Sequence, residues 1–361
     1  MSEKNVTEQS CIDALSRLAL NPDDSEQGYR FVAGLSDQER TELLSLADSN
    51  HVILRALKPV YERATRDKNL QLAAWAENSI ADERKRIANM LEHMERVCNG
   101  LEAAGCPTTV MKTLDHWPDI GNDIDLYSTA PDARIAEVMQ REFNAEIEPR
   151  SWGDRLAHKW NFAIPGLKEP VEIHVRRLGQ TGEHTDLAKR FVSRRQQKEV
   201  DGRKFWVPAP EERIVVATLQ RMYRHFYFRV CDIANTAALV ESGTLNYGEL
   251  KRVSEFAGIW PGVATYLMIV SGYIARYRGE GLELPKLVSD GARFGAEKVH
   301  VRGKFIRVPI MPQGAALYTE QVTRTALRGD VPATFRLQLL PPLAVAAAVA
   351  FKLTGSDKGV W

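Results

Sequence analysis

The chain has 361 residues, length for two or three packed units, with 44% apolar and 26% charged residues, as in an ordinary globular protein. Its 48 Lys and Arg nearly balance 47 Asp and Glu, so a net charge of +1 argues against a general polyanion-binding surface. Cys11, Cys98, Cys106 and Cys231 form no C-x-x-C pair, which excludes the usual metal-finger spacing and suits free thiols in a reducing cytoplasm.

Met1-Ser2-Glu3-Lys4 leads into a polar segment without an apolar signal core, so secretion is not expected. Residues 1–104 read as a helical region. Leu43, Leu44 and Leu46 begin one apolar segment, and Val52 to Val60 continues it. Ile80, Ile87, Leu91, Met94, Cys98 and Leu101 then recur at spacings of sevens, fours and threes, a single buried stripe. Bundle core or packing against a sheet explains that stripe without a ligand. Gly105 stops the helix.

Residues 105–208 read as a mixed α/β core. Cys106 to Thr113 is a short buried strand ending in Lys112-Thr113, and Leu114 to Asn122 is a loop rich in Pro, Gly, Asn and Asp. Asn122-Asp123-Ile124-Asp125-Leu126-Tyr127 follows. Strand side chains alternate between faces, so Asp123 and Asp125 project together while Ile124 and Leu126 bury opposite. Paired carboxylates suit Mg²⁺, which takes one or two of them along with substrate phosphate oxygens. A lysine and a hydroxyl on the neighbouring strand would suit the phosphates.

Asp132 to Phe143 reads as a crossing helix. Ala145 to Glu148 and Lys159 to Ile164 read as strands. Pro170 to Arg176 alternates again, with Val171, Ile173 and Val175 on one face and Glu172, His174 and Arg176 on the other. Glu172 is the candidate third carboxylate. Gln197 to Pro208 reads as a hairpin turning at Asp201-Gly202. A sheet of four to six strands with helices on one face fits this order.

Residues 209–361 read as mainly helical. Val215, Leu219, Met222, Phe226, Val230, Ile233 and Ala237 predict one long helix, with Arg221, Arg224, His225 and Arg229 on other faces. A short hairpin is expected near 298–310, turning at Gly303-Lys304. The apolar run Leu339 to Phe351 is shorter than the ~20 residues a membrane span needs, and Pro341-Pro342 interrupts it. A buried terminal helix is expected, with an interfacial membrane anchor as the alternative. A cytoplasmic location follows.

The order of Lys-Thr strand, loop, Asp-Ile-Asp-Leu and Glu-Ile-His-Val-Arg resembles the polymerase-β-type nucleotidyltransferase superfamily, within it a bacterial nucleotidyltransferase-like family with helical regions on both sides of the core. The likeness is strongest in residues 110–128 and 171–176. It implies an α+β fold with a small mixed sheet flanked by N-terminal and C-terminal helical regions. It also implies transfer of a nucleoside monophosphate from a nucleoside triphosphate, ATP among them, to a hydroxyl or phosphate acceptor. Asp123, Asp125 and Glu172 would be catalytic and would hold two Mg²⁺ ions; Lys112, Thr113, His174 and Arg176 would contact the nucleotide. Relatives carry Gly-Gly or Gly-Ser where this chain has Lys112-Thr113, which departs from a backbone grip on phosphate.

The partners expected are a nucleoside triphosphate and an acceptor that the sequence does not identify, without long nucleic acid. Two other readings compete. One is a catalytically silent nucleotide- or partner-binding protein on the same fold, which the missing glycine favours. The other is a toxin-like nucleotidyltransferase acting on RNA, which needs a basic groove that the net charge does not advertise.

Overall fold

The computed structural model describes residues 7–178 and 185–354; the Met1–Lys4 segment lies outside them. The chain opens with helices α1 (Glu8–Leu20), α2 (Glu26–Ala33), α3 (Asp37–Ser49), α4 (Ile53–Arg66) and α5 (Leu70–Ala103). Thr7 and Ser36 start α1 and α3 with reciprocal side-chain caps to Ser10 and Glu39, satisfying the free N–H groups of the first turn. At 34 residues, α5 is about 50 Å long.

The α/β part follows: β1 (Thr108–Val110), β2 (Ile124–Ser128), α6 (Asp132–Phe143), β3 (Glu146–Ile147), α7 (Trp152–Leu156), β4 (Lys159–Ala163) and β5 (Val171–Val175). Next come α8 (Thr185–Ser193) and the hairpin β6 (Gln196–Val200) and β7 (Arg203–Val207). Asp201 and Gly202 both take positive φ at its two-residue turn, as expected there. The five-stranded sheet has the order β1-β2-β5-β4-β3; β2 and β5 are parallel and the other pairs antiparallel.

The rest is α9 (Pro210–Thr218), β8 (Tyr227–Phe228), α10 (Val230–Glu241), α11 (Tyr247–Phe256), α12 (Trp260–Arg278) and α13 (Lys286–Gly291). Strands β9 (His300–Arg302) and β10 (Phe305–Arg307) precede α14 (Ala315–Leu327) and α15 (Val331–Thr354). This is the mixed helix-and-sheet architecture, with flanking helices, that the sequence leads one to expect.

Two expectations need correction. The helix predicted from Pro210 to Ala237 is broken: it widens into a π-helical turn over Leu219–Arg224, Phe226 takes φ +53°, and Tyr227–Phe228 pairs with β10. The ladder with β10 and burial of Phe228 override the local helical period, as tertiary context does with propensity. The terminal apolar run, expected to be buried, lies within α15 with Leu340 inward but Leu339, Pro341, Pro342 and Val349 exposed. No helix of the described residues is long and apolar enough to cross a membrane.

Burial divides into two cores. One lies under the sheet, joining Ile87, Leu91, Met94 and Leu101 of α5 to Ile124 and Leu126 of β2 and Val171, Ile173 and Val175 of β5. The other joins α1–α4 and the start of α5 to the helices from α8 onward, so the two helical regions share one interior. Tyr127 of β2 belongs to this second core and lies against Phe191. Asp125, two residues before Tyr127, shares its side of the strand. The acid face of the sheet therefore looks toward the helical body.

Candidate active site

Strands β2 and β5 place Asp125 directly beside Glu172, Ile124 beside Val171 and Leu126 beside Ile173. Cross-strand partners share a face, so the four apolar residues sink into the sheet core while the carboxylates meet above it. On the other side of β5, β4 sets Lys159 opposite His174 and Asn161 opposite Glu172. Lys159 Nζ lies 2.9 Å from Glu172 Oε1 and 3.1 Å from Asp154 Oδ1. Lys112 Nζ lies 2.8 Å from Asp125 Oδ2.

His174 Nε2 stands 3.4 Å from Asp125 Oδ1. Neither that oxygen nor either ring nitrogen has a well-formed hydrogen bond, although all three are buried. Burial, with help from Lys112, lowers the pKa of His174 against the opposing pull of the Asp125 carboxylate. Burial alone would raise Asp125, but the Lys112 ammonium and His174 hold it well below the usual carboxylate range. Burial and the charges of Asp125 and Glu172 push Asp123 up. Asp123 lies just ahead of β2, and a Cβ on Gly121 would stand 3.4 Å from its Oδ1 and 3.6 Å from His51 Nε2.

One ligand atom each from Asp125, Glu172 and His174 fall within 4.8 Å of one another, a spacing that could hold a divalent cation. The predicted trio was Asp123, Asp125 and Glu172. His174 takes the third place, and Asp123 stands outside this cluster in the turn before the strand. The orphaned Asp125 Oδ1 and the oxygen-rich donor set fit a hard cation, and the imidazole widens the choice to borderline metals.

The loop carrying Asp123 is fastened from many sides. Asp119 accepts from the backbone N–H groups of Leu54, at 2.7 Å, and Arg55, at 3.3 Å, capping α4, whose own Val52 supplies no cap. Arg55 donates to Trp117 O, Arg86 to Ile120 O and Gly121 O, and Lys198 to Leu114 O. Arg213 pairs with Asp115 at 2.6 Å, and Asn235 Nδ2 lies 2.7 Å from His116 Nδ1.

Lys112 projects into the acid face. Thr113 does not present a free hydroxyl: its buried Oγ1 accepts from Asp125 N–H and donates to Asp123 O, clasping the aspartate segment. Arg176, predicted to share the face of Glu172, is turned away. The strand ends at Val175, Arg176 takes φ +61°, and its exposed guanidinium donates to Thr129 O.

Sequence reasoning missed Lys159 and Asp154. The alternation Lys159, Asn161 against Trp160, Phe162 in a predicted strand was the available signal for the lysine. The helical body adds positive charge over the acids. Glu172 and Asp125 act electrostatically on Arg224, Lys112 on His225, and Arg229 on Asp123. Arg221 is instead buried and paired with Asp232 at 2.7 Å.

No family model and no curated protein matches the sequence. Among solved structures the chain is similar to an antigenic nucleotidyltransferase-like protein from Paracoccidioides brasiliensis, at 14% identity and TM-score 0.35, over 57% of this chain and 96% of that one. It is similar to the antibiotic-resistance factor ANT(2'')-Ia at 10% identity and TM-score 0.32, over 46% of this chain and 89% of that one. A tRNA-processing enzyme matches at 12% identity and TM-score 0.23, over 55% of this chain and 60% of its own. Likenesses this distant leave the activity to be argued from the residues.

Proposed function

We propose that the protein is a metal-dependent nucleotidyltransferase. The observation that carries this reading is the parallel register of Asp125 with Glu172, closed by His174 into one cation-sized cluster whose carboxylates pair with Lys112 and Lys159. Asp125, Glu172 and His174 would hold a divalent cation, with Asp123 beside them; bound there, it would offset the negative charge of a triphosphate and of the departing pyrophosphate. Asp123 and Asp125 would hold a second ion.

The chain's own residues do the rest. Lys112, on the acid face beside Asp125, would reach toward phosphate as a mobile point charge. Arg224 and Arg229 approach the acids from the helical body and oppose the triphosphate charge there. An acceptor oxygen attacks the α-phosphorus, the bond to the α–β bridging oxygen breaks, and pyrophosphate leaves with that electron pair. The acceptor proton passes to water. Positioning and fixed charge supply most of the rate.

The test is pyrophosphate release from each nucleoside triphosphate with Mg²⁺ or Mn²⁺ and a cell extract, alongside Mn²⁺ binding followed by electron paramagnetic resonance. Asp125→Asn and Glu172→Gln should lose both while keeping the wild-type circular dichroism spectrum. Full turnover in both variants would sink the mechanism. The Lys112–Asp125 ion pair favours the catalytically silent reading, because an ammonium already stands on a would-be ligand. Cation binding without turnover of any triphosphate would support that alternative.

A further inference from the structure

The sheet of β8, β10 and β9 has two unlike faces. Its register pairs Tyr227 with Arg307, Arg307 with His300, and Phe305 with Arg302. Cross-strand partners and alternate residues share a side, so these five side chains stand on one face. Phe228 and Ile306 occupy the other face and are buried in the helical body. Asn50 fastens the hairpin turn by donating to Lys304 O and holds α10 by accepting from Val230 N–H.

The outward face is open. His300 and Arg302 are exposed, as is Lys304 at the turn; Tyr227, Phe305 and Arg307 are half-buried. The rings of Tyr227 and Phe305 stack with centroids 4.2 Å apart and 16° between planes. The Arg307 guanidinium lies 5.2 Å from the Tyr227 ring centroid and 5.7 Å from that of Phe305. Residues 298–308 contain no acid. Among the described residues no carboxylate pairs with Arg302, Lys304 or Arg307, whereas Arg190, Arg194, Arg221 and Arg252 all have acidic partners. Exposed cations without counter-charges repel one another and attract an anion.

This face adjoins the end of the π-helical turn, where Arg224 and His225 lead into β8. The His225 ring lies 5.5 Å from that of Tyr227, so His225, Tyr227 and Phe305 form a run of rings beside the hairpin cations. Three strands span about 10 Å, room beside the aromatic pair for a short stretch of strand.

We infer that this face binds a single-stranded polynucleotide and delivers its end to the acid cluster as acceptor. The word acceptor rests on the transferase reading; the binding does not. Cations interleaved with aromatics match the alternating phosphates and bases of a strand. A net charge of +1 permits this, because the basic residues are gathered on one small sheet.

The experiment is fluorescence anisotropy of the full chain with labelled RNA and DNA single strands of about 12 nucleotides and the matching duplexes, between about 50 and 200 mM salt. Single strands should bind and weaken with salt, and the RNA and DNA arms show which sugar is preferred. Arg302→Ala with Arg307→Ala should flatten the log–log salt slope by about 1.4, at roughly 0.7 per phosphate. Phe305→Leu, with an unchanged melting temperature, should weaken binding at least about fivefold.

No binding at low salt, equal affinity in these variants, duplex bound as tightly as single strand, or displacement by an acidic peptide would each overturn the inference. Asp125→Asn separates the two claims. Strand binding with no turnover in the wild type would leave the platform standing and sink the transferase, and turnover without strand binding would do the reverse.

Discussion

Lys112 reaches Asp125, 2.8 Å away, from a backbone that is itself unusual: φ +46° and ψ −51°, with the Thr113 N–H turned back to Met111 O. This is a γ-turn centred on a non-glycine residue, a rare and strained form. Lys112→Gly should therefore be about 1–2 kcal/mol more stable to urea than Lys112→Ala, since only glycine escapes the left-handed penalty. Both should raise the apparent Michaelis constant for the triphosphate and tighten Mn²⁺ binding, the competing ammonium being gone. Equal stability of the two variants would show that the turn stores no strain.

Asp119 caps α4 from a distant loop, so its loss should be felt in both places. Asp119→Ala should cost about 1–2 kcal/mol of stability. Asp119→Asn keeps one acceptor oxygen and should cost less. Hydrogen exchange at Leu54 and Arg55 is the direct readout. Unchanged protection of both amides in Asp119→Ala would refute the capping role.

Acid should act through Glu249. Its carboxylate accepts from Arg252 and is paired with Arg190 and Arg194, and Arg252 and Arg190 pull its pKa down to about 2 from an ordinary 4.5. A depressed folded-state pKa gives stability that is whole above the unfolded value and lost as pH falls through the folded one. The stability gap between wild type and Glu249→Gln should be constant above about pH 5 and close as pH falls toward 2. A gap independent of pH would mean that the ion pairs contribute nothing there.

Arg176→Ala should be nearly silent. The side chain is exposed, turned away from the acids and bonded to one carbonyl, so stability should move by no more than about 0.5 kcal/mol. A Michaelis constant for the triphosphate more than several-fold above wild type would return Arg176 to the site.

Much of the core was legible because strand alternation is a local rule. Ile124, Leu126, Val171, Ile173 and Val175 bury as their spacing requires, and the two hairpins turn at Asp201-Gly202 and Gly303-Lys304. The register that sets Asp125 beside Glu172 was not legible, since parallel pairing is decided by tertiary packing. Arg176 misled because alternation does not mark where a strand stops. No glycine or proline announces the break after Thr218, so β8, and with it the placement of Arg224 and Tyr227, could not be read from periodicity.

The two interiors also set a schedule for the growing chain. The sheet core draws on residues from Ile87 to Val207, whereas the helical interior runs from Cys11 to Leu317. During synthesis the sheet can close while α1 to α4 still lack the helices that cover them, and the apolar faces made first are buried last. Proteolysis of ribosome-bound chains stalled beyond Val207 should then spare the sheet and cut α1–α4, and protection of α1–α4 at that length would contradict this order. On that order the nascent protein would carry its acid cluster before Arg224 and Arg229 have been made.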